Sequence, residues 1–204
     1  GILRSQVSIN TPNSKVHFLK DGQEISQVFV ESDANFEIPL LNVSPGNYNF
    51  GFWAEDSDGL RSITHTLSIT VVSGATMIVS GIFLPPTIYV EDLETRRGDF
   101  LKIGGQSAPN AEISLLIDSG SGLTKNTRSD SNGVWIYSLD TSELNFGDYT
   151  VKAKAKKNNE NTIFSEVKKF KISRLTIKNF FPSECPKADF NTDNNWNIII
   201  LLGR

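Results

Sequence analysis

Five oxygen-bearing side chains stand at alternate positions near the end of the sequence: Asp189, Asn191, Asp193, Asn195 and Asn197. Carboxylate and amide oxygens at every second residue are the donors that a calcium loop presents, with one position supplying a backbone carbonyl. The ligand expected there is Ca2+. Asp56-Ser57-Asp58-Gly59 offers a shorter set of oxygens, and the same residues also make an ordinary turn. Trp53 is the other candidate contact residue. Its strand places it on the face opposite Tyr48, Phe50 and Phe52. On an open face the indole suits sugar stacking or a protein contact; a neighbouring strand or the segment after Gly81 would equally cover it.

Groups that converge for catalysis are not set together by any motif. His17 sits inside one strand pattern and His65 at the start of another, on that strand's apolar face, and both read as ordinary strand histidines. The sequence holds no G-x-S-x-G, H-E-x-x-H, P-loop or Rossmann pattern, and Gly104-Gly105 lacks the context of a phosphate loop. Pairs such as Asp92/Glu94 are too common on surfaces to indicate glycosidase chemistry. The expectation is a protein that is not an enzyme.

Bulk properties narrow the partners. The net charge of −3 argues against nucleic acid, because phosphate contacts need a basic surface. The longest apolar run, Ile198–Leu202, falls far short of the roughly 20 residues of a membrane span. A single cysteine, Cys185, excludes an intrachain disulfide but not secretion. The first residue is Gly and no signal peptide is visible, so a processed product or an excised piece is expected.

The elements that would position these residues are strands. Short runs recur between turn signals, with no helical periodicity. Gln6–Ile9, Val16–Leu19, Ile25–Val30 and Phe36–Leu40 read as strands, with Lys20-Asp21-Gly22-Gln23 as a tight hairpin. Pro39 sends its strand to an edge or a bulge. From Tyr48, alternate residues Tyr48, Phe50, Phe52 and Ala54 share one face. Ile63, His65, Leu67, Ile69 and Val71 then alternate with a hydroxyl-rich face.

The second half repeats the first at an offset of about 100 residues, a normal size for a sandwich domain. Ala108-Pro109-Asn110-Ala111 matches Thr11-Pro12-Asn13-Ser14, and Leu144 to Tyr149 matches Leu41 to Tyr48. In both, a Leu, a Gly-containing turn and a Tyr entering a strand read as a tyrosine corner. Trp135 and Tyr137 fall on the second copy's aromatic strand and are expected in its core. Pro39 and the lysines Lys168, Lys169 and Lys171 would protect sheet edges. Between the copies, Gly81–Ile88 ends an apolar run in Pro85-Pro86, which fixes two φ angles and stiffens the chain.

The expected fold is all-β: two tandem Ig-like antiparallel β-sandwiches, residues 5–82 and 89–174, a Pro-Pro hinge at 83–88, and a short irregular tail at 175–204. The paired segments resemble the Ig-like repeats of secreted and surface bacterial proteins. The tail resembles the calcium loop of a dockerin, with Trp196 at the hydrophobic place and Asn197 at the final amide; Asn194 stands where that pattern has Gly, and Ile200 where it has an acid. The resemblance implies an extracellular or cell-surface location, calcium binding and a docking partner. It implies a non-catalytic spacer or adhesion element working through protein partners or self-assembly. The alternative is an accessory carbohydrate-binding, dockerin-bearing region of a secreted polysaccharide-degrading enzyme.

Overall fold

The computed structural model describes residues 2–7, 12–31, 36–40, 43–74, 76–80, 82–120 and 122–174. The tail residues Asp189, Asn191, Asp193, Asn195 and Asn197 lie outside the described residues. Both halves of the described chain belong to one compact unit, Gly1–Arg174.

The first lobe contains β1 (Ile2–Val7), β2 (Ser14–Lys20), β3 (Gln23–Val30), β4 (Phe36–Leu40), β5 (Gly46–Glu55), β6 (His65–Val71) and β7 (Thr76–Ser80). They form two sheets, ordered β4-β1-β7 and β3-β2-β5-β6. The second lobe contains β8 (Tyr89–Val90), β9 (Glu94–Arg96), β10 (Phe100–Gln106), β11 (Glu112–Asp118), β12 (Leu123–Arg128), β13 (Val134–Asp140), β14 (Gly147–Lys157), β15 (Glu160–Asn161) and β16 (Lys168–Ser173). Its sheets run β13-β10-β8 and β12-β11-β14-β16-β9, with β15 paired to β14. Each lobe is a β-sandwich, two sheets sharing one core. Pairing is antiparallel except for β1 with β7 and β9 with β16, which are parallel.

Period-two burial builds each core. Val16, Phe18, Phe50, Phe52 and Ala54 point inward in the first lobe, and Ile113, Leu115, Ile117, Val151, Ala153 and Ala155 in the second. Trp135 is fully buried and Tyr137 packs partly against the same cluster. Local chemistry agrees with this pattern. Asp21 and Gly22 both take positive φ (50° and 83°) in the β2–β3 hairpin, as a primed turn requires.

The internal repeat is visible atom by atom. Asn13 and Asn110, each following a proline, adopt φ of 54° and 56°. Tyr48 donates its hydroxyl to the Ser44 carbonyl at 3.0 Å and Tyr149 donates to the Asn145 carbonyl at 3.1 Å, each reaching back four residues. Ser62 and Ser165 both accept a strand N–H on Oγ, from Ala54 and Ala153, at 2.9 Å in each case.

Two expectations need correction. The strand carrying Lys168, Lys169 and Lys171 is an edge only in part: β16 lies between β14 and β9, but β9 pairs with Lys171–Ser173, so Lys171 is inside the sheet while Lys168 and Lys169 lie beyond the end of that pairing. Ile63 precedes β6 and is 38% exposed, because the chain first turns at Ser62 to satisfy the Ala54 backbone. Pro39 does sit on an edge strand, β4, where a residue without an N–H is tolerated. Gly104 and Gly105 lie in β10. A Cβ on Gly104 would come within 2.7 Å of the Tyr89 hydroxyl, and one on Gly105 would overlap the Thr87 carbonyl. Gly104 makes room for the Tyr89 ring and Gly105 for the Thr87 backbone.

Candidate functional site

The outer face of the sheet β3-β2-β5-β6 holds Trp53. Strand register sets His17 of β2 directly beside it. The two rings stack, with centroids 3.7 Å apart and planes 3° from parallel. The Arg61 guanidinium lies 4.1 Å from the indole centroid, and its Nη2 donates to Thr64 Oγ1 at 3.3 Å. Trp53 is thus half-buried, with an imidazole and a guanidinium on its ring system.

His17 is itself buried, at 7% exposure. Its Nδ1 lies 3.0 Å from Glu24 Oε2 and its Nε2 lies 3.5 Å from Glu55 Oε2. With its proton on Nδ1 it donates to Glu24, and Nε2 is then a buried acceptor without a hydrogen-bond partner. The carboxylates come from strands on either side, Glu24 from β3 and Glu55 from β5. The sequence could not join these residues, because Glu24 reaches His17 only across a register shift between Phe18 and Leu19. Further along the face, Ser68 Oγ donates to Asn49 Oδ1 and Thr70 Oγ1 to Asn47 Oδ1, both at 2.7 Å. This hydroxyl–amide ladder is the hydroxyl-rich face that the alternation in β6 predicts.

On the inner face of the same sheet, burial lowers the pKa of His65 below the ordinary histidine value by disfavouring its charged form. Among the described residues, no group of three or more His, Cys, Asp or Glu side chains is placed to hold a metal ion. The Asp56 loop is a closed turn. Asp56 Oδ1 accepts the N–H groups of Asp58 at 3.0 Å and Leu60 at 2.8 Å, and Oδ2 accepts the Thr87 hydroxyl at 2.6 Å.

That last bond belongs to the joint between the lobes. Ile82 to Ile88 are buried throughout. Ile82 and Leu84 join the first core, while Phe83 and Ile88 join the second. The Thr87 hydroxyl donates to Asp56 and accepts from the Gln106 N–H at 2.8 Å; the Gln106 amide donates to Ser57 Oγ at 2.7 Å. Gly133 packs so tightly that a Cβ there would overlap the Ser107 carbonyl and lie 2.8 Å from Pro12 Cδ.

No protein-family model matches the chain. No curated protein matches it either. Among solved structures it is similar to the fibronectin(III)-like modules of Clostridium thermocellum CbhA, at 17% identity and a TM-score of 0.35, over 85% of each chain. It is similar to a tetra-tandem repeat from the extending region of a large adhesion protein, at 16% identity and a TM-score of 0.36, over 85% of this chain and 50% of that one. It is also similar to the D0-D1 domain of Intimin, at 15% identity and a TM-score of 0.33, over 78% of this chain and 81% of that one. Likenesses of this degree assign no activity.

Proposed function

We propose that the chain is a non-catalytic structural or adhesion module of an extracellular or cell-surface protein, with two sandwiches held at a stiff joint. The observation that carries this reading is the burial of Ile82–Ile88, whose residues serve both cores at once. A connector that completes two cores cannot swing without exposing apolar surface. A fixed joint is what a spacer needs to transmit position or force from one end to the other.

Solution scattering on the whole chain tests this. One fixed arrangement of the two lobes within residues 2–174 should account for the part of the profile that these residues contribute. A profile that demands many arrangements of the two lobes overturns the spacer reading. Within the same reading, the Asp189–Asn197 run is a calcium-binding docking segment, supported by the alternation of its oxygen donors.

A further inference from the structure

The outer face of the sheet β12-β11-β14-β16-β9 carries a row of lysines. Lys152, Lys154 and Lys156 alternate along β14 with Val151, Ala153 and Ala155, which are fully buried. Four residues of strand span about 13 Å, so the row is an evenly spaced line of charge. The neighbouring strand β16 adds Lys169, opposite Thr150. Among the described residues, none of these four lysines is in an ion pair. The Lys152 and Lys154 ammonium groups lie 4.4 and 5.5 Å from the Phe164 ring centroid, which holds both over the face.

Acidic groups stand at the ends of the row. Glu112 is opposite Lys156 and lies 3.4 Å from Arg128; Asp118 is opposite Thr150, and Asp148 is opposite Lys171. Between these ends the flanking positions are Ser114 opposite Lys154, Leu116 opposite Lys152, and Asn126 and Thr124 on β12. The middle of the face therefore offers unpaired cations beside hydroxyl and amide groups.

We propose that this face binds a linear acidic polysaccharide, one whose carboxylates meet Lys152, Lys154, Lys156 and Lys169 while its hydroxyls meet Ser114, Asn126 and Thr124. Charge complementarity selects a polyanion. The chemistry between the charges selects a sugar chain over a nucleic acid, since Phe164 lies against the ammonium groups and is not an open platform for stacked bases. The inference deepens the module reading by naming a partner, and it rests on an extracellular setting where such polymers occur.

The test uses the whole purified chain and polygalacturonate as probe, followed by calorimetry at low and high salt, with neutral dextran and a single-stranded oligonucleotide as comparisons. Polygalacturonate should bind at low salt and lose affinity as salt screens the charges. Replacing Lys152, Lys154 and Lys156 together by Ser should weaken binding by about tenfold or more. The matching triple replacement by Arg keeps the charge and should retain binding. Lys102→Ser, on the opposite sheet beside Glu91, should leave binding unchanged. Absence of binding, insensitivity to the triple Ser variant while the protein stays folded by circular dichroism, or equal binding of the oligonucleotide overturns the proposal. So does a signal that sedimentation traces to self-association. Antibody labelling of intact producing cells tests the extracellular setting separately: accessible protein that ignores polygalacturonate overturns this inference and leaves the module reading intact.

Discussion

The imidazole of His17 lies flat on the indole of Trp53, 3.7 Å between centroids, with Glu24 and Glu55 at its two nitrogens. Aromatic stacking and the Arg61 contact each add to the burial of these rings. Trp53→Ala should lower the stability of the chain by about 2 kcal/mol, and Trp53→Phe by less. Chemical denaturation followed by circular dichroism reads this directly. An unchanged midpoint for Trp53→Ala would show that the stack contributes nothing.

The joint makes a sharper prediction. Thr87→Val keeps the side-chain shape and removes the hydroxyl that bridges Asp56 and the Gln106 N–H. Both partners are then left in a buried place without their bond, at a cost of about 1–3 kcal/mol. Solution scattering on the same variant should also show the lobes losing their single arrangement. Wild-type scattering and wild-type stability together would remove the bridge from the account of stiffness.

The two tyrosine corners should behave as a pair. Tyr48→Phe and Tyr149→Phe each delete one hydroxyl-to-carbonyl bond across a four-residue turn. Each should cost about 1 kcal/mol in thermal or chemical unfolding. A large effect from one and none from the other would mean that the corners, though alike in geometry, do different work.

Burial holds the His65 pKa below the ordinary value of 6.5. The unfolded chain then binds a proton at a pH where the folded chain does not, so stability rises with pH across that window. The contribution is present in full above the unfolded value and is lost as pH falls through the folded one. The melting temperature should therefore drop as pH is lowered through and below the ordinary histidine value of 6.5, and His65→Gln should drop less. Equal drops in both proteins would place the pH dependence elsewhere.

Calcium titration probes the tail. Heat of binding near micromolar calcium, lost in Asp189→Ala and in Asp193→Ala, is the expected result. A flat titration of the wild-type chain would remove the calcium segment from the proposed function and leave the two sandwiches.

Much of the fold could be read from single strands. The alternation Tyr48-Phe50-Phe52-Ala54, the Asp21-Gly22 turn and the Pro-Asn turns act through local geometry, so sequence alone determined them. The repeat followed as well, because its markers at Tyr48 and Tyr149, and at Asn13 and Asn110, are single residues with one conformational task each. Short strands such as β8 and β9 carry too few residues for a period to register, and the parallel pairs β1–β7 and β9–β16 join segments far apart in the chain. The alternation along β14 also put Lys152, Lys154 and Lys156 on one face. Only the tertiary structure decided three further things: that His17 meets Trp53 and two glutamates, that Ile82–Ile88 serves two cores, and that Lys169 of β16 joins the face of the β14 lysines. Each depends on strand register or on packing between elements. The physical reason is the same in every case: side-chain alternation tells which residues turn inward, while which neighbours they find is set by pairing across the sheet and contact between lobes.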